Sequence, residues 1–278
     1  MSTSSRAARL TDRTVPRTPP LAPRAVPWLL AAAGVLVQIA FPLTGGGTLG
    51  LTVASVALFS AAAVADAAVR FGPAVAASVL AGAGGVGLVA EAVGVRTGVP
   101  FGDYDYTGTL GAEVADVPVL VPLAWVMMAW PALAVARRLV GARGRVATVL
   151  VGAYALTAWD VFLDPQMVDA GHWTWADPTP ALPGVEGIPL TNFAGWLVVS
   201  LVVVGLLDRL VPRSTDATGS GDRARDAVPL TIYLWTYFSS VLAHAVFFGR
   251  PPVALVGAVL MGLVAWPLVV TLLRERRR

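Results

Sequence analysis

Eight apolar stretches follow one another along the chain, separated by short polar or Gly- and Pro-rich segments. A helix needs about 20 mostly apolar residues to cross a bilayer. The pattern therefore predicts an all-α integral membrane protein, a bundle of about eight transmembrane helices. The predicted spans are residues 28–44, 49–69, 73–93, 118–136, 146–163, 192–211, 228–248 and 252–273.

The apolar region is flanked by two basic tails. Residues 1–27 carry five arginines among Ser, Thr and Pro, a composition typical of disorder. Residues 274–278 form a short basic C-terminal tail. Because apolar segments fill the interval between the tails, residues 28–273 are predicted to form a single polytopic membrane domain.

The arginines set the predicted orientation. All 20 basic residues are arginine, and an eight-span arrangement places all but Arg96 and Arg250 on the side of the N-terminus. Such asymmetry is expected when the arginine-rich side is the cytoplasm. We therefore predict a multi-pass protein of the cell membrane with both termini cytoplasmic. An arrangement with seven spans would remove this separation of the arginines between the two sides of the membrane.

The composition supports a lipid environment and excludes several kinds of site. Charged residues make up 13% of the chain and the mean hydropathy is +0.71, whereas soluble domains carry about 25% charged residues. The chain has no cysteine, which excludes disulfides, thiolate metal sites and a cysteine nucleophile. The arginines occur in short runs between apolar segments, so membrane topology explains the basic charge and no nucleic-acid partner is predicted.

Small residues interrupt the third predicted span. Gly82, Gly84, Gly85 and Gly87 fall within six residues of one another. Since glycine lets helix backbones approach closely, this run predicts tight packing of the third helix against a neighbour.

Two carboxylates end the fifth predicted span, where an apolar helix runs into an acidic, aromatic loop. Asp160 and Asp164 are four residues apart, so they share one face of the helix. Because an acid at the edge of an apolar layer is costly, the pair favours a functional role. One member can hold a proton and act as an acid while the other stays ionised. The structural alternative is that Asp164 caps the loop and Asp160 bonds to a neighbouring tryptophan.

A third acid, Glu91, lies near the end of the third span. An intramembrane glutamate is expected to face the bundle interior or water, so Glu91 is a candidate catalytic acid. The alternative is an ion pair with Arg96 at the rim.

The segment that follows alternates acids and tyrosines. In extended backbone, successive side chains point to opposite faces, so both acids would face one way and both tyrosines the other. The acids are further catalytic candidates and the tyrosines are candidates for substrate binding, against the alternative of a turn with interfacial tyrosines. These residues are Asp103, Tyr104, Asp105 and Tyr106.

Tryptophans gather near predicted span ends and in the same loops. One interpretation is an aromatic belt at the membrane interface; the other is a wall whose ring faces stabilise a conjugated chain or a carbocation. The tryptophans are Trp125, Trp130, Trp159, Trp173, Trp175 and Trp196. All but Trp130 join the predicted substrate-binding set.

Two polar residues complete that set. Asn192 precedes Trp196 by four residues and can hold a water or a carboxylate. His172 is one of two histidines, and the other, His244, is predicted to be a hydrogen-bonded packing residue. The chain has no His-x-x-His or Glu-x-x-His spacing, so we predict no metal, and a di-iron enzyme is disfavoured.

Five ordered motifs within residues 88–200 resemble the integral-membrane carotenoid-biosynthesis family that contains the bisanhydrobacterioruberin and γ-carotene hydratases. Outside this range the chain is similar only as hydrophobic helices. The motifs are Glu91 with Thr97–Tyr106, Val117–Pro118 with Val121–Trp125, Trp159–Met167, Gly171–Trp175 and Gly187–Trp196.

The resemblance implies a cofactor-free hydratase that adds water to the C1,C2 double bond at the ψ end of an acyclic carotenoid. Protonation at C2 leaves a tertiary cation at C1, which water captures. The implied acid is Asp160 or Glu91, and Asp164 or Asp103 with Asn192 would position the water. The implied partners are a C40 or C50 acyclic carotenoid, reaching the site sideways from the bilayer, and other membrane enzymes of carotenoid synthesis.

Two alternatives stay open at this point. A carotenoid end-group cyclase shares the protonation step but closes a ring. A transporter or a non-catalytic scaffold is a different class, although transporters often show two matching halves and no half repeats here. Convergence of Glu91, Asp103, Asp160 and Asp164 on one pocket would favour an enzyme.

Overall fold

The structure, a computed structural model, describes residues 21–44, 48–213 and 226–277. Within these residues, eight helices are long and apolar enough to cross a membrane, which confirms the predicted all-α bundle. The helical segments are α1 (Leu21–Leu43), α2 (Leu49–Phe71), α3 (Pro73–Val79), α4 (Val86–Thr97), α5 (Leu120–Val140), α6 (Arg145–Asp169), α7 (Leu190–Leu210), α8 (Ala227–Leu242) and α9 (Pro251–Arg276).

Two helices contain π-helical turns. Leu80–Gly85 joins α3 to α4 as one continuous span, and Ala243–Phe247 continues α8. A Cβ on Gly82 or Gly84 would lie 3.2–3.3 Å from side chains of α7 or α5. The glycine run therefore permits the close packing that the sequence predicts, except at Gly85, which has no neighbour within 4 Å.

The predicted spans match the helices except at their ends. α1 begins at Leu21 rather than at residue 28, and α9 continues to Arg276, so parts of both predicted tails are helical. Residues 1–20 of the predicted N-terminal tail lie outside the described residues. The orientation of the termini stays a prediction.

Helix α5 is the centre of the bundle. Every residue from Trp125 to Ala136 is buried, as expected for a helix that is apolar on all sides. It packs against α2, α6 and α8, while α6 also packs against α7 and α9. The outer faces expose large apolar side chains such as Leu36, Leu255 and Trp266, each more than half exposed. Contiguous apolar surface of this kind suits contact with lipid.

Short strands lie between the helices at one end, which we call the strand end. β1 pairs with β4, β2 with β3 and β5 with β6, all antiparallel. The strands are β1 (Tyr104–Tyr106), β2 (Glu113–Val114), β3 (Val117–Pro118), β4 (Trp173–Trp175), β5 (Ala181–Leu182) and β6 (Val185–Pro189). The β1–β4 pair joins the loop after α4 to the loop after α6, which brings the two acidic loops together.

The opposite end, the arginine end, is held by ion pairs. Buried Asp208 of α7 pairs with Arg137 at 3.0 Å, with Arg213 at 2.7 Å and with Arg145 at 3.6 Å. Trp130 also points to this end, where its indole donates to Asp66 at 2.9 Å. Trp130 therefore lies apart from the other tryptophans of the predicted cluster.

Candidate active site

Four helices bring polar side chains to the strand end of the bundle. Glu91 lies in the middle of α4 and Trp125 near the start of α5. Asp160 and Asp164 lie in the last part of α6, and Asn192 lies in the first turn of α7. Because consecutive helices run in opposite directions, these positions fall at a similar depth and all five side chains are buried.

Glu91 accepts hydrogen bonds from three neutral donors. Tyr104 and Tyr106 donate their hydroxyls to Oε2 at 2.5 and 2.9 Å, and the indole of Trp125 donates to Oε1 at 3.2 Å. Arg96 instead pairs with Asp116 on the surface, so the alternative of a Glu91–Arg96 pair at the rim is wrong. A buried carboxyl group surrounded by donors, without an ion pair in the described residues, is available for chemistry.

The strand β1 supplies both tyrosines. Tyr104 lies opposite Trp175 and Tyr106 opposite Trp173 in the pairing with β4, and the two-residue period turns both phenol rings toward Glu91. Burial raises the pKa of Tyr104 and of Tyr106 above the ordinary value for tyrosine. Both hydroxyls therefore stay protonated and act as hydrogen-bond donors.

The same alternation places two predicted catalytic residues outside the site, so that prediction is wrong for them. Asp103, just before β1, and Asp105 within it are exposed, because the alternation turns them away from the side of the tyrosines. Neither lines the cavity in which Glu91 lies. The sequence pattern predicts the two faces of this strand but does not show which one is buried, and the acids lie on the outer one.

Asn192 joins the two aspartates of α6. Its Nδ2 donates to Oδ2 of Asp160 at 2.9 Å and to Oδ2 of Asp164. This contact replaces the alternative in which Asp160 bonds to a tryptophan. The two carboxyl groups also lie within hydrogen-bonding reach of each other. Oδ1 of Asp160 is buried and receives no hydrogen bond from any described residue.

Aromatic rings enclose these acids. Trp125 stacks on Trp196 with ring centroids 4.0 Å apart, and Trp159 meets Trp196 edge-on at 6.1 Å. Trp173 and Trp175 of β4 pack against the two tyrosines at 5.7 and 5.8 Å. The rings form a wall in the interior rather than a belt facing lipid, and their role toward a conjugated chain or a carbocation stays a prediction.

A small cavity of about 70 Å³ lies between the acids and the rings. We call it the reaction cavity; Glu91, Asp164 and Asn192 provide its polar groups, and its other walls are mostly aromatic or aliphatic. The cavity is large enough for a few water molecules or the end of a hydrocarbon chain. Asp160 does not line it and lies behind Asp164.

Two predicted substrate-binding residues fall outside the reaction cavity. His172 is buried but faces Thr109, with Nδ1 and Oγ1 2.8 Å apart, and it therefore holds the loop after α6 to the loop after β1. Burial lowers the pKa of His172, so the ring is neutral at physiological pH. Trp159 lines a neighbouring cavity instead. Nε2 of His244 donates to the backbone oxygen of Phe162 at 3.1 Å, which matches its predicted packing role.

Some wall residues were not predicted. Thr52 and Val56 of α2, together with Leu163 and Met167 of α6, close one side of the reaction cavity. Leu163 and Met167 are adjacent in the helix to Asp164, so their position on α6 could have indicated them. The contribution of α2 depends on how distant helices pack, which the sequence does not display. In the described part of the chain, no three acidic or histidine side chains are placed to hold a metal ion.

Comparison with known proteins identifies the family. Residues 50–264 match the carotenoid biosynthesis protein family, so the chain belongs to that family, as the motifs indicate. A bisanhydrobacterioruberin hydratase from Haloarcula japonica is 35% identical over 121 residues, which are 42% of this chain and 40% of the relative. The chain thus matches less than half the length of that relative. No solved structure matches the chain at a significant level.

Family membership and the eight apolar helices together define a multi-pass membrane protein of carotenoid biosynthesis. The part of the chain matched by the family includes all the residues of the reaction cavity.

Proposed function

We propose that this protein is a carotenoid hydratase of the cell membrane that adds water to the C1,C2 double bond at the ψ end of an acyclic C40 or C50 carotenoid. The observation that carries the proposal is the reaction cavity itself. Glu91 and Asp164, the latter joined to Asp160 through Asn192, line a small space walled by aromatic rings. The hydratase from Haloarcula japonica supports the same class of chemistry.

The first step is protonation of the double bond at C2. Asp164 is the proposed donor, because it lines the reaction cavity whereas Asp160 lies behind it. Two carboxyl groups in contact cannot both ionise easily, so the pair retains one proton at neutral pH. Asn192 donates to both members and holds Asp164 toward the cavity. This assignment moves the acid from Asp160 or Glu91, as implied by the resemblance, to Asp164 with Asp160 as its partner.

The resulting tertiary cation at C1 needs negative charge and ring faces nearby. Glu91 is the proposed source of this charge, since three donors converge on its carboxyl group and hold it in place. The stacked rings of Trp125 and Trp196 provide the faces. Groups fixed before the reaction stabilise a developing charge without the cost of reorganisation.

Water then captures the cation. A water molecule bonds through its oxygen to C1, and its released proton returns to the carboxylate left on the aspartate pair. The product is a tertiary alcohol, and the enzyme recovers its starting protonation state without a cofactor. The proposed orientation, with both termini cytoplasmic, would put this chemistry at the outer side of the bundle, where the strand end lies.

The test is a pigment assay in a bacterium that makes lycopene. Expression of the chain is expected to yield a product heavier than lycopene by one water, detected by mass spectrometry. A product of unchanged mass with shifted absorption would indicate the cyclase instead. The absence of a new pigment from lycopene and from longer acyclic carotenoids, with the protein present in the membrane, would contradict the proposal.

A further inference from the structure

A second, larger cavity of about 400 Å³ adjoins the reaction cavity. It lies at the strand end among α1, α2, α6 and α8, and the π-helical turn after α8 forms part of its wall. We call it the side cavity. Such turns offset the helix face that follows them and occur often at functional sites.

The two cavities share one partition. Thr52, Val56, Leu163 and Met167 line both. These side chains of α2 and α6 form the boundary between the two spaces. Asp164 and Leu163 are neighbours on α6, which places the proposed acid beside the partition.

The lining of the side cavity suits a flat, unsaturated chain. Aromatic side chains come from four helical segments, among them Phe41 of α1, Trp159 of α6 and Trp235 of α8. The indole of Trp235 donates to Gln38 at 2.6 Å and so joins α8 to α1. At the rim, Leu43, Phe238 and Phe247 are each 45–69% exposed on the apolar outer surface. The cavity therefore opens toward the side of the bundle that suits lipid.

We propose that the side cavity binds the conjugated chain of the substrate and receives it from the bilayer between α1 and α8. This inference rests on the proposed function for the identity of its occupant. The reaction cavity holds only the end of a long hydrocarbon, so the rest of a polyene needs an apolar space that begins at the same point. Another cavity, of about 500 Å³, lies at the arginine end, and its lining includes Arg70, Arg137 and Arg213. Charged side chains make up a large part of its lining, and it shares no lining residue with the reaction cavity.

The test uses one matched pair of substitutions on α2. Ser55 lines the side cavity, whereas Ala57 on the same helix is exposed and lines neither cavity. Ser55→Trp fills the space, and Ala57→Trp adds the same ring on the outer face. Ser240→Trp fills the side cavity from α8 and serves as a second variant if the first fails to fold.

The full chain is purified in lipid nanodiscs, and lycopene binding is followed by quenching of tryptophan fluorescence. Ser55→Trp and Ser240→Trp are expected to weaken binding at least about tenfold, while Ala57→Trp stays within about twofold of the unmodified protein. Asp164→Asn is expected to bind lycopene normally and make no alcohol. Squalane, a saturated branched hydrocarbon, is expected to compete poorly.

The outcomes separate this inference from the proposed function. Normal binding and hydration in both cavity-filling variants would overturn the side cavity as the chain site and leave the hydratase intact. Lycopene binding that both variants abolish, without hydration by the unmodified protein, would support the site and contradict the hydratase. If squalane displaces bound lycopene as well as free lycopene does, the inference is overturned, and the side cavity is a binding site for saturated lipid tails.

Discussion

Gly87→Ala is expected to impair the reaction without changing any acid. An added Cβ at Gly87 would lie 2.6 Å from Cγ and Cδ1 of Trp125. Carbon atoms in contact prefer about 3.5–4.0 Å, so the indole must move by about 1 Å. Trp125 is fully buried and stacked on Trp196 at 4.0 Å, and it has little free space in which to move.

The shift acts on both stability and geometry. Overpacking of a filled core costs about 1–3 kcal/mol. A displacement of about 1 Å would also stretch the 3.2 Å hydrogen bond from Trp125 to Glu91 beyond bonding range. Misplacement by this distance lowers rates by about 10²-fold. We therefore expect a lower unfolding temperature and a loss of product of that order.

The assay measures hydrated pigment per amount of membrane-inserted protein, together with thermal unfolding of the purified chain. Gly85→Ala is the matched control, because its added Cβ meets nothing within 4 Å. It is expected to retain product and stability. Full product formation by Gly87→Ala, or an equal loss in Gly85→Ala, would refute the role assigned to Trp125 and its contact with Glu91.

Three further predictions concern the surroundings of the site. Tyr104→Phe removes the 2.5 Å hydrogen bond to Glu91. It is expected to lower the amount of product about tenfold and the free energy of unfolding by about 1–2 kcal/mol. Product and unfolding temperature equal to those of the unmodified protein would contradict this. Asp208→Asn leaves three arginines without their buried charged partner. It is expected to lower the free energy of unfolding, measured by heat or denaturant, by about 2 kcal/mol, a value between those of exposed and buried pairs. Product per folded protein is expected to be unchanged, and a selective loss of product would contradict this. Burial lowers the pKa of His172, so the folded state binds a proton less readily than the unfolded chain, and stability falls as pH drops below about 6.5. His172→Gln is therefore expected to reduce the change in unfolding temperature between about pH 7.5 and 5. A pH profile equal to that of the unmodified protein would contradict this.

The bundle was predictable because its signal is local. Apolar runs of membrane-spanning length predict the helices one at a time, and each predicted span matches a helix to within several residues. The errors lie at the ends, as at Leu21, where the helix begins earlier than the apolar run. Helix ends depend on capping and on neighbouring loops, which hydropathy does not report.

The candidate site was predictable where spacing decides it. The four-residue separation of Asp160 and Asp164 places them on one face, and the alternation after Gly102 separates tyrosines from acids. Which face of that strand is buried follows from its pairing with β4, nearly 70 residues later in the chain. The exposed positions of Asp103 and Asp105 therefore could not be read from the segment alone.

Long-range contacts account for the remaining differences. The sequence indicates that Asn192 can hold a carboxylate, but its simultaneous contact with both aspartates depends on the packing of α7 against α6. The side cavity depends on α1 and α8, which carry no motif. Apolar helices of this kind look alike in sequence, and only their arrangement shows which of them line a cavity.

The central claim is that buried carboxyl groups at the reaction cavity add water to the end of a polyene. The most direct measurement compares hydrated pigment from Asp164→Asn, Asp160→Asn and Glu91→Gln with that from Asp103→Asn and Asp105→Asn, at equal protein in the membrane. The first three are expected to lose product by about 10²-fold or more, and the two exposed positions to retain it. Retained product in the buried set, or an equal loss in the exposed set, would contradict the account.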